Sequence, residues 1–413
     1  MPETSSFTSR SGADRCPGVL RLAEAADGFL ARVRLPGGLV SAQQLRVLAR
    51  LAGELGDGRV ELTARGNVQL RGLPAAAASP LTSELFQAGL LPSLSHDRVR
   101  NVLASPLAGL DRGPDLTGIV GALDAALCAR PRLAELSGRF LFAVDDGRGD
   151  VAGLGADVVA TVRSDGAVVN GLAVHAAGRE AVGSADAGAG VRGRLRDDVV
   201  DAMLAFAEAF LDLRAGLGGS AWRVADLPDG ESRVRAAVAA RLGLAAGRQE
   251  RGAATGTRPV GLVPREIAGG GESPEFVRDD AGFSAVLIAP LGRLTAAQLT
   301  WVADRVAGRA ARITPWRSVV LPDQADAAGV LRAAAGLGFG TDEESPWLRV
   351  TACAGRPGCA SALADVQADA AGFAARWPRR VVHVSGCGRH CGRPAAAEID
   401  VTATSEGYQV AGI

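Results

Sequence analysis

Residues 30–73 read LARVRLPGGLVSAQQLRVLARLAGELGDGRVELTARGNVQLRGL, and residues 284–321 read SAVLIAPLGRLTAAQLTWVADRVAGRAARITPWRSVVL. Each stretch opens on an apolar strand, turns at glycine, enters an amphipathic helix and ends in a second strand. Each helix starts with the same device: Ser41 with Gln44, and Thr295 with Gln298. In such a capping box the hydroxyl accepts from the amide three residues on, and the Gln side chain accepts from the cap amide. Apolar residues at helical spacing follow, among them Leu45, Leu48, Ala49 and Ala52. A β-α-β unit repeated far apart in one chain predicts two halves related by a pseudo-two-fold axis.

A larger block follows each unit. The first holds the strand-like FLFAV (residues 140–144), a hairpin ADVVATVRSDGAVVNGLAV about a Ser-Asp-Gly turn, a helix over Asp197 to Leu213 and another from about Glu231. The second ends in a further hairpin, AEIDVTATSEGYQVAG. Residues 247–259, GRQERGAATGTRP, are polar and glycine-rich and read as a linker. The expected organisation is a half-domain at 16–85, a block at 89–246, the linker, a second half-domain at 260–340 and a second block at 346–413.

The chain has 413 residues, 47% of them hydrophobic, which is ample for buried cores. Its 45 basic residues, all Arg, balance 45 acidic ones. That neutrality argues against nucleic acid as a partner. Every cationic contact is therefore a planar, permanently charged fork suited to carboxylates or phosphates. The N-terminus lacks the apolar run of a signal peptide, and no stretch reads as a membrane span. A cytoplasmic protein is the expectation, and its six cysteines then point to metal binding or catalysis rather than disulfides.

Cys353 and Cys359 form a C-x5-C pair; Cys387 and Cys391, after 27 intervening residues, form a G-C-x3-C pair. Four thiolates suit a [4Fe–4S] cluster, with Gly and Pro letting the backbone curl around it. Structural zinc, the competing reading, prefers pairs two to four residues apart. His383 and His390 stand nearby as side chains that contact the bound group or its substrate. Cys128, in a helix-like segment, reads as a small core residue, and Cys16, before Pro17, as a free exposed thiol.

The second strand of the first repeat, read as continuous from Thr63 to Arg71, would place Thr63, Arg65, Asn67, Gln69 and Arg71 on one face. A half-solvated strand would look the same. A second polar cluster, His96-Asp-Arg98-Val-Arg100-Asn101, opens the first block, and Arg139 precedes FLFAV. The matching strand of the second repeat has a single Arg. One half thus carries cationic donors while the other leads to the cysteines.

The cysteine spacings, the T-x-R-x-N-x-Q strand, the R-N-V segment at Arg100 to Val102 and the duplication resemble the sulfite/nitrite reductase superfamily, from about residue 16 to the C-terminus. Further stretches that carry the resemblance are CPGVLR (16–21), DRVRNVLASPLAGLD (97–111) and GRFLFAVDDGRGDVAGLGADV (138–158). It implies an α+β fold of two ferredoxin-like half-domains and two larger α/β domains, with Cys353, Cys359, Cys387 and Cys391 ligating the cluster. It implies that Arg65, Asn67, Gln69, Arg71, Arg100, Asn101 and Arg139 line a substrate cleft. The reductases typically carry two lysines, two apart, in the strand after Arg100; here those positions hold Arg139 and Leu141. A Leu supplies neither charge nor proton to a small anion. The resemblance is therefore to the branch that works on a reduced tetrapyrrole, precorrin-3A, in aerobic cobalamin biosynthesis. That implies monooxygenation with O2 and a reduced donor, NADH or a redox protein. An additional non-haem iron is left open, and sirohaem belongs only to the alternative, a sulfite or nitrite reductase. A non-catalytic electron carrier or tetrapyrrole-binding protein is the other alternative.

Overall fold

The computed structural model describes residues 14, 16–111, 113–163, 166–174, 185–243, 261–264, 283–306, 308–394 and 396–412. The linker expected at 247–259 and the Ser-Asp pair of the expected hairpin turn lie outside them. The chain divides into two compact units, one of residues 1–16, 34–38 and 92–257, the other of 17–33, 39–91 and 258–413.

In the second of these units the first repeat forms β1 (Ala23–Ala25), β2 (Gly28–Val33), β3 (Leu39–Val40), α1 (Ala42–Leu55), β4 (Arg59–Leu62), β5 (Val68–Leu73) and α2 (Ala78–Gln87). The Ser41–Gln44 capping box is present, and it does more than cap: Gln44 Nε2 also donates to Ala88 O at the end of α2. Leu45, Leu48, Ala49 and Ala52 are buried. Strands β2, β5 and β4 pair antiparallel. Between Arg71 and Leu73 the register slips by one residue, with Gly72 at φ 67°. This bulge returns Leu73 to the core face that Leu70 occupies, while Arg71 stays on the opposite face.

The other unit holds β6 (Val102–Ala104), α3 (Thr117–Cys128), β7 (Phe142–Asp145), β8 (Val158–Arg163), β9 (Gly166–Val169), β10 (Leu172–Val174), α4 (Ala185–Gly216) and α5 (Gly230–Leu242). Its sheet runs β6–β7–β8 parallel, then β9 and β10 antiparallel. Phe140 packs against Phe142 and against Phe210 of α4, with ring centroids 5.2 and 5.1 Å apart.

The second repeat, back in the cysteine-bearing unit, forms β11 (Gly261–Pro264), β12 (Phe283–Ile288), β13 (Arg293–Thr295), α6 (Ala296–Ala303), β14 (Ala311–Ile313), β15 (Ser318–Gln324) and α7 (Ala327–Gly336). Its capping box is also present, and Gln298 Nε2 again reaches past it, to Leu337 O after α7. The two repeats exchange strands. β13 joins the first sheet, in the order β1-β2-β5-β4-β13, and β3 joins the second, in the order β11-β12-β15-β14-β3. Equivalent strands, each just before the capped helix, thus cover the partner's sheet edge, which is the behaviour of a pseudo-two-fold pair.

The C-terminal module contains β16 (Val350–Ala352), α8 (Val366–Arg376), β17 (Val382–Ser385), β18 (Ile399–Thr404) and β19 (Gly407–Ala411). β16, β17 and β18 are parallel and β19 is antiparallel. This repeats the topology of β6 to β9, so the larger blocks are duplicated as well. No described helix is long and apolar enough to cross a membrane.

Candidate metal centre

Both cysteine loops leave the C-terminal ends of neighbouring parallel strands, the edge where open α/β sheets leave room for ligands. Cys353 follows β16, and Cys387 lies two residues past β17. The loops run side by side: Cys353 N donates to Val384 O at 3.0 Å, and Leu363 N to Gly386 O at 2.8 Å. Arg356 Nε ties the first loop down by donating to Ala362 O at 2.7 Å. Cys353, Cys359 and Cys387 are half-buried and Cys391 is exposed.

Two features fit a thiolate-bound cluster. The Gly386 amide donates to Cys353 Sγ at 3.1 Å, as expected where backbone amides approach ligating sulfur. A Cβ on Gly386 would stand 2.7 Å from Ala362 Cβ, so only glycine lets the loops close this tightly. His383 is fully buried on β17. Its Nδ1 meets Thr351 Oγ1 at 2.8 Å. Burial holds this imidazole down at about 4, so it is neutral at physiological pH.

The arginine strip takes a different form from the expected continuous strand. Thr63 N donates to Asn67 O, and Gly66 N to Thr63 O. Residues 63–67 therefore make the turn of a β4–β5 hairpin. Arg65 sits on that turn, its amide on Thr63 Oγ1, and Asn67 is buried. Only Gln69 and Arg71 remain on the strand, and both face Glu61. Gln69 is also held by Arg32 Nη2 at 2.9 Å. Arg71, 8% exposed, gives Nε and Nη2 to the Asp27 carboxylate at 3.1 and 3.0 Å, and Nη2 also to Gly358 O at 2.9 Å. Gly358 lies inside the C-x5-C loop, so Arg71 braces the cysteines rather than standing ready for a substrate carboxylate.

In the other unit Arg100 is similarly committed. It makes a fork to Asp124 with two 2.7 Å bonds and is 3% exposed. Asn101 is fully buried and its amide donates to Arg98 O and Gly138 O. His96 is buried, its ring bonded to Ser93, Ser95 and Arg130 O. Arg139 is exposed and stacks over the Trp222 ring, 4.8 Å from its centroid. Cys16 is half-buried rather than an exposed thiol. Burial and the Asp14 carboxylate push that thiol up, against the pull of Arg139. Leu141 is 3% exposed in an apolar cluster with Leu103, Ala143 and Val151.

Sequence reasoning missed Asp27, Gln367 and Arg293. Gln367 Nε2 donates to Cys353 O at 3.1 Å, and its Oε1 accepts from Arg293, which also holds Asp57. No spacing in the sequence signals these partners. It also missed the trio Asp145, Asp146 and Asp150 at the end of β7, whose carboxylate oxygens lie within 4.8 Å of one another. Asp145 accepts from the amides of Gly147, Gly149, Val151 and Ala152. Asp146 is held by Arg148, and Asp150 by Ser105 Oγ at 2.5 Å. Burial, then the neighbouring Asp145 and Asp146, push Asp150 up to about 6.

Exchanged β-α-β halves, parallel-stranded modules and four cysteines on one of them make a sulfite/nitrite reductase-like fold. Residues 22–88 match the Nitrite/Sulfite reductase ferredoxin-like half domain. The solved Mycobacterium tuberculosis NirA protein shares the fold at a TM-score of 0.68 and 21% identity, over 92% of this chain and 74% of that one. Along nearly its whole length the chain is similar to Precorrin-3B synthase of Sinorhizobium sp, at 28% identity over 406 residues, 95% of this chain and 81% of that protein. Ferredoxin--nitrite reductases match over shorter spans. The Synechococcus elongatus protein is 35% identical over 128 residues, 29% of this chain and 25% of its own, and the Leptolyngbya laminosa protein 40% over 85 residues, 20% and 17%. These relatives are oxidoreductase-type enzymes.

Proposed function

We propose that this protein is a precorrin-3B synthase-like oxidoreductase acting on a reduced tetrapyrrole in cobalamin biosynthesis. The observation that carries this reading is the extent of the similarities. The synthase match runs along 95% of the chain, whereas the two nitrite reductase matches given above stop at 29% and 20%. The burial of Leu141 among apolar side chains supports it. An anion lodged there would leave its oxygens unpaired at a cost of several kcal/mol.

In this reading Cys353, Cys359, Cys387 and Cys391 hold a [4Fe–4S] cluster, which when bound supplies one-electron transfer. The reaction takes O2 and a two-electron donor, NADH or a redox protein. The substrate gains one oxygen atom, as a ring hydroxyl, while a ring acetate closes as a lactone. The other oxygen leaves as water with two electrons from the donor and two protons. The exposed Arg139 on its loop is the guanidinium fork for an acetate or propionate of the substrate.

The test is a pair of parallel assays on one anaerobically purified preparation. Oxygen-dependent conversion of precorrin-3A, with negligible sulfide or ammonia from sulfite or nitrite even after sirohaem is added, is the expected result. Brisk anion reduction with precorrin-3A untouched would overturn it. Cys387→Ser is expected to lose most of its iron and its brown colour. Zinc in place of iron in the parent protein would remove the cluster from the reading.

A further inference from the structure

Four polar side chains converge on the C-x5-C loop from outside it. Arg71 reaches Gly358 O from β5, held in place by Asp27. Gln367, at the start of α8, reaches Cys353 O and is itself held by Arg293 of β13. The loop is thus gripped through two of its carbonyls, at Cys353 and next to Cys359. The guanidinium donates three bonds from a nearly solvent-free position, with Asp27 13% exposed at its side chain. The approach is so close that a Cβ on Gly358 would stand 2.8 Å from Arg71 Nη2.

We propose that Arg71 is a positioning residue that, paired with Asp27, holds the C-x5-C loop and sets the reduction potential of the group its cysteines bind. This rests on the reading that the four cysteines hold a [4Fe–4S] cluster. The pair is electrically neutral, and its two members act in opposite directions. A buried charge close to a redox group is weakly screened. Adding an electron to the cluster is opposed by a nearby uncompensated carboxylate and favoured by an uncompensated guanidinium. Removing Arg71 leaves the Asp27 carboxylate beside the loop without its guanidinium partner; removing the charge of Asp27 leaves Arg71. Loss of the bond to Gly358 O also loosens the loop, and such outer contacts typically govern metal retention by 10–100-fold.

The experiment uses the full chain, purified anaerobically, with four readouts: iron and sulfide per chain, midpoint potential by dye-mediated titration, rate of iron loss to a chelator, and thermal midpoint. The variants are Arg71→Gln, Asp27→Asn and Gly358→Ala. Arg71→Gln is expected to lower the midpoint potential and Asp27→Asn to raise it. Gly358→Ala, which displaces the flexible end of Arg71 without removing it, is expected to release iron about tenfold faster at an unchanged thermal midpoint. Potentials that do not move, or that move in the same direction in the two charge variants, would overturn the proposal. A parent protein with no iron and no sulfide would instead sink the cluster reading on which it stands.

Discussion

Arg100 and Asp150 show how burial converts a charged side chain into a structural one. Arg100 has a side chain 4% exposed and a bidentate partner in Asp124, itself 18% exposed. Breaking a pair in so dry a site strands the remaining charge. Arg100→Ala is therefore expected to lower unfolding free energy by roughly 3 kcal/mol, read from denaturant midpoints, with tetrapyrrole affinity of the folded fraction unchanged. Asp150 works the other way. Its folded carboxyl titrates at about 6, against about 3.9 in an unfolded chain. Between these values the unfolded chain has lost the proton that the folded protein keeps, so stability falls as pH rises. The parent protein should lose on the order of 2 kcal/mol relative to Asp150→Asn from pH 4 to pH 6. A stability difference that stays flat across that window would show that Asp150 does not titrate there.

At the scale of the element, the two capped helices make a matched experiment. Ser41 and Thr295 accept from the amides of Gln44 and Gln298, and losing either cap is expected to cost about 1 kcal/mol. Each Gln does more, because its amide nitrogen also holds the carbonyl after the next helix, Ala88 O or Leu337 O. Gln44→Ala and Gln298→Ala should therefore each cost about 2 kcal/mol, roughly twice the hydroxyl variants, in chemical unfolding. These caps were legible in the sequence because a capping box is a four-residue signal that needs no distant partner. The polar strand was misread for the complementary reason. Alternation of Thr63, Arg65, Asn67, Gln69 and Arg71 continues through the chain as text, but the tight turn closed by Thr63 and Asn67 interrupts it. Periodicity alone cannot distinguish one long strand from a hairpin whose turn keeps the same spacing.

For the whole molecule, strand exchange makes each ferredoxin-like half depend on the other. β4 would be an open sheet edge without β13, and β14 would be one without β3. Residues 17–91 expressed alone are thus expected to show no cooperative unfolding transition by circular dichroism; a sharp transition would mean the exchange is dispensable. By itself the sequence determined the duplication, both helix caps and the four cysteines with their spacing, since each is written in short, local patterns. Only the tertiary structure decided which arginines are occupied and by what. Arg71 finds its partners 44 and 287 residues away and Arg100 finds Asp124 24 residues away. A guanidinium's choice among carboxylates and carbonyls depends on which of them the folded chain brings within three ångströms and strips of water, and no local pattern encodes that distance.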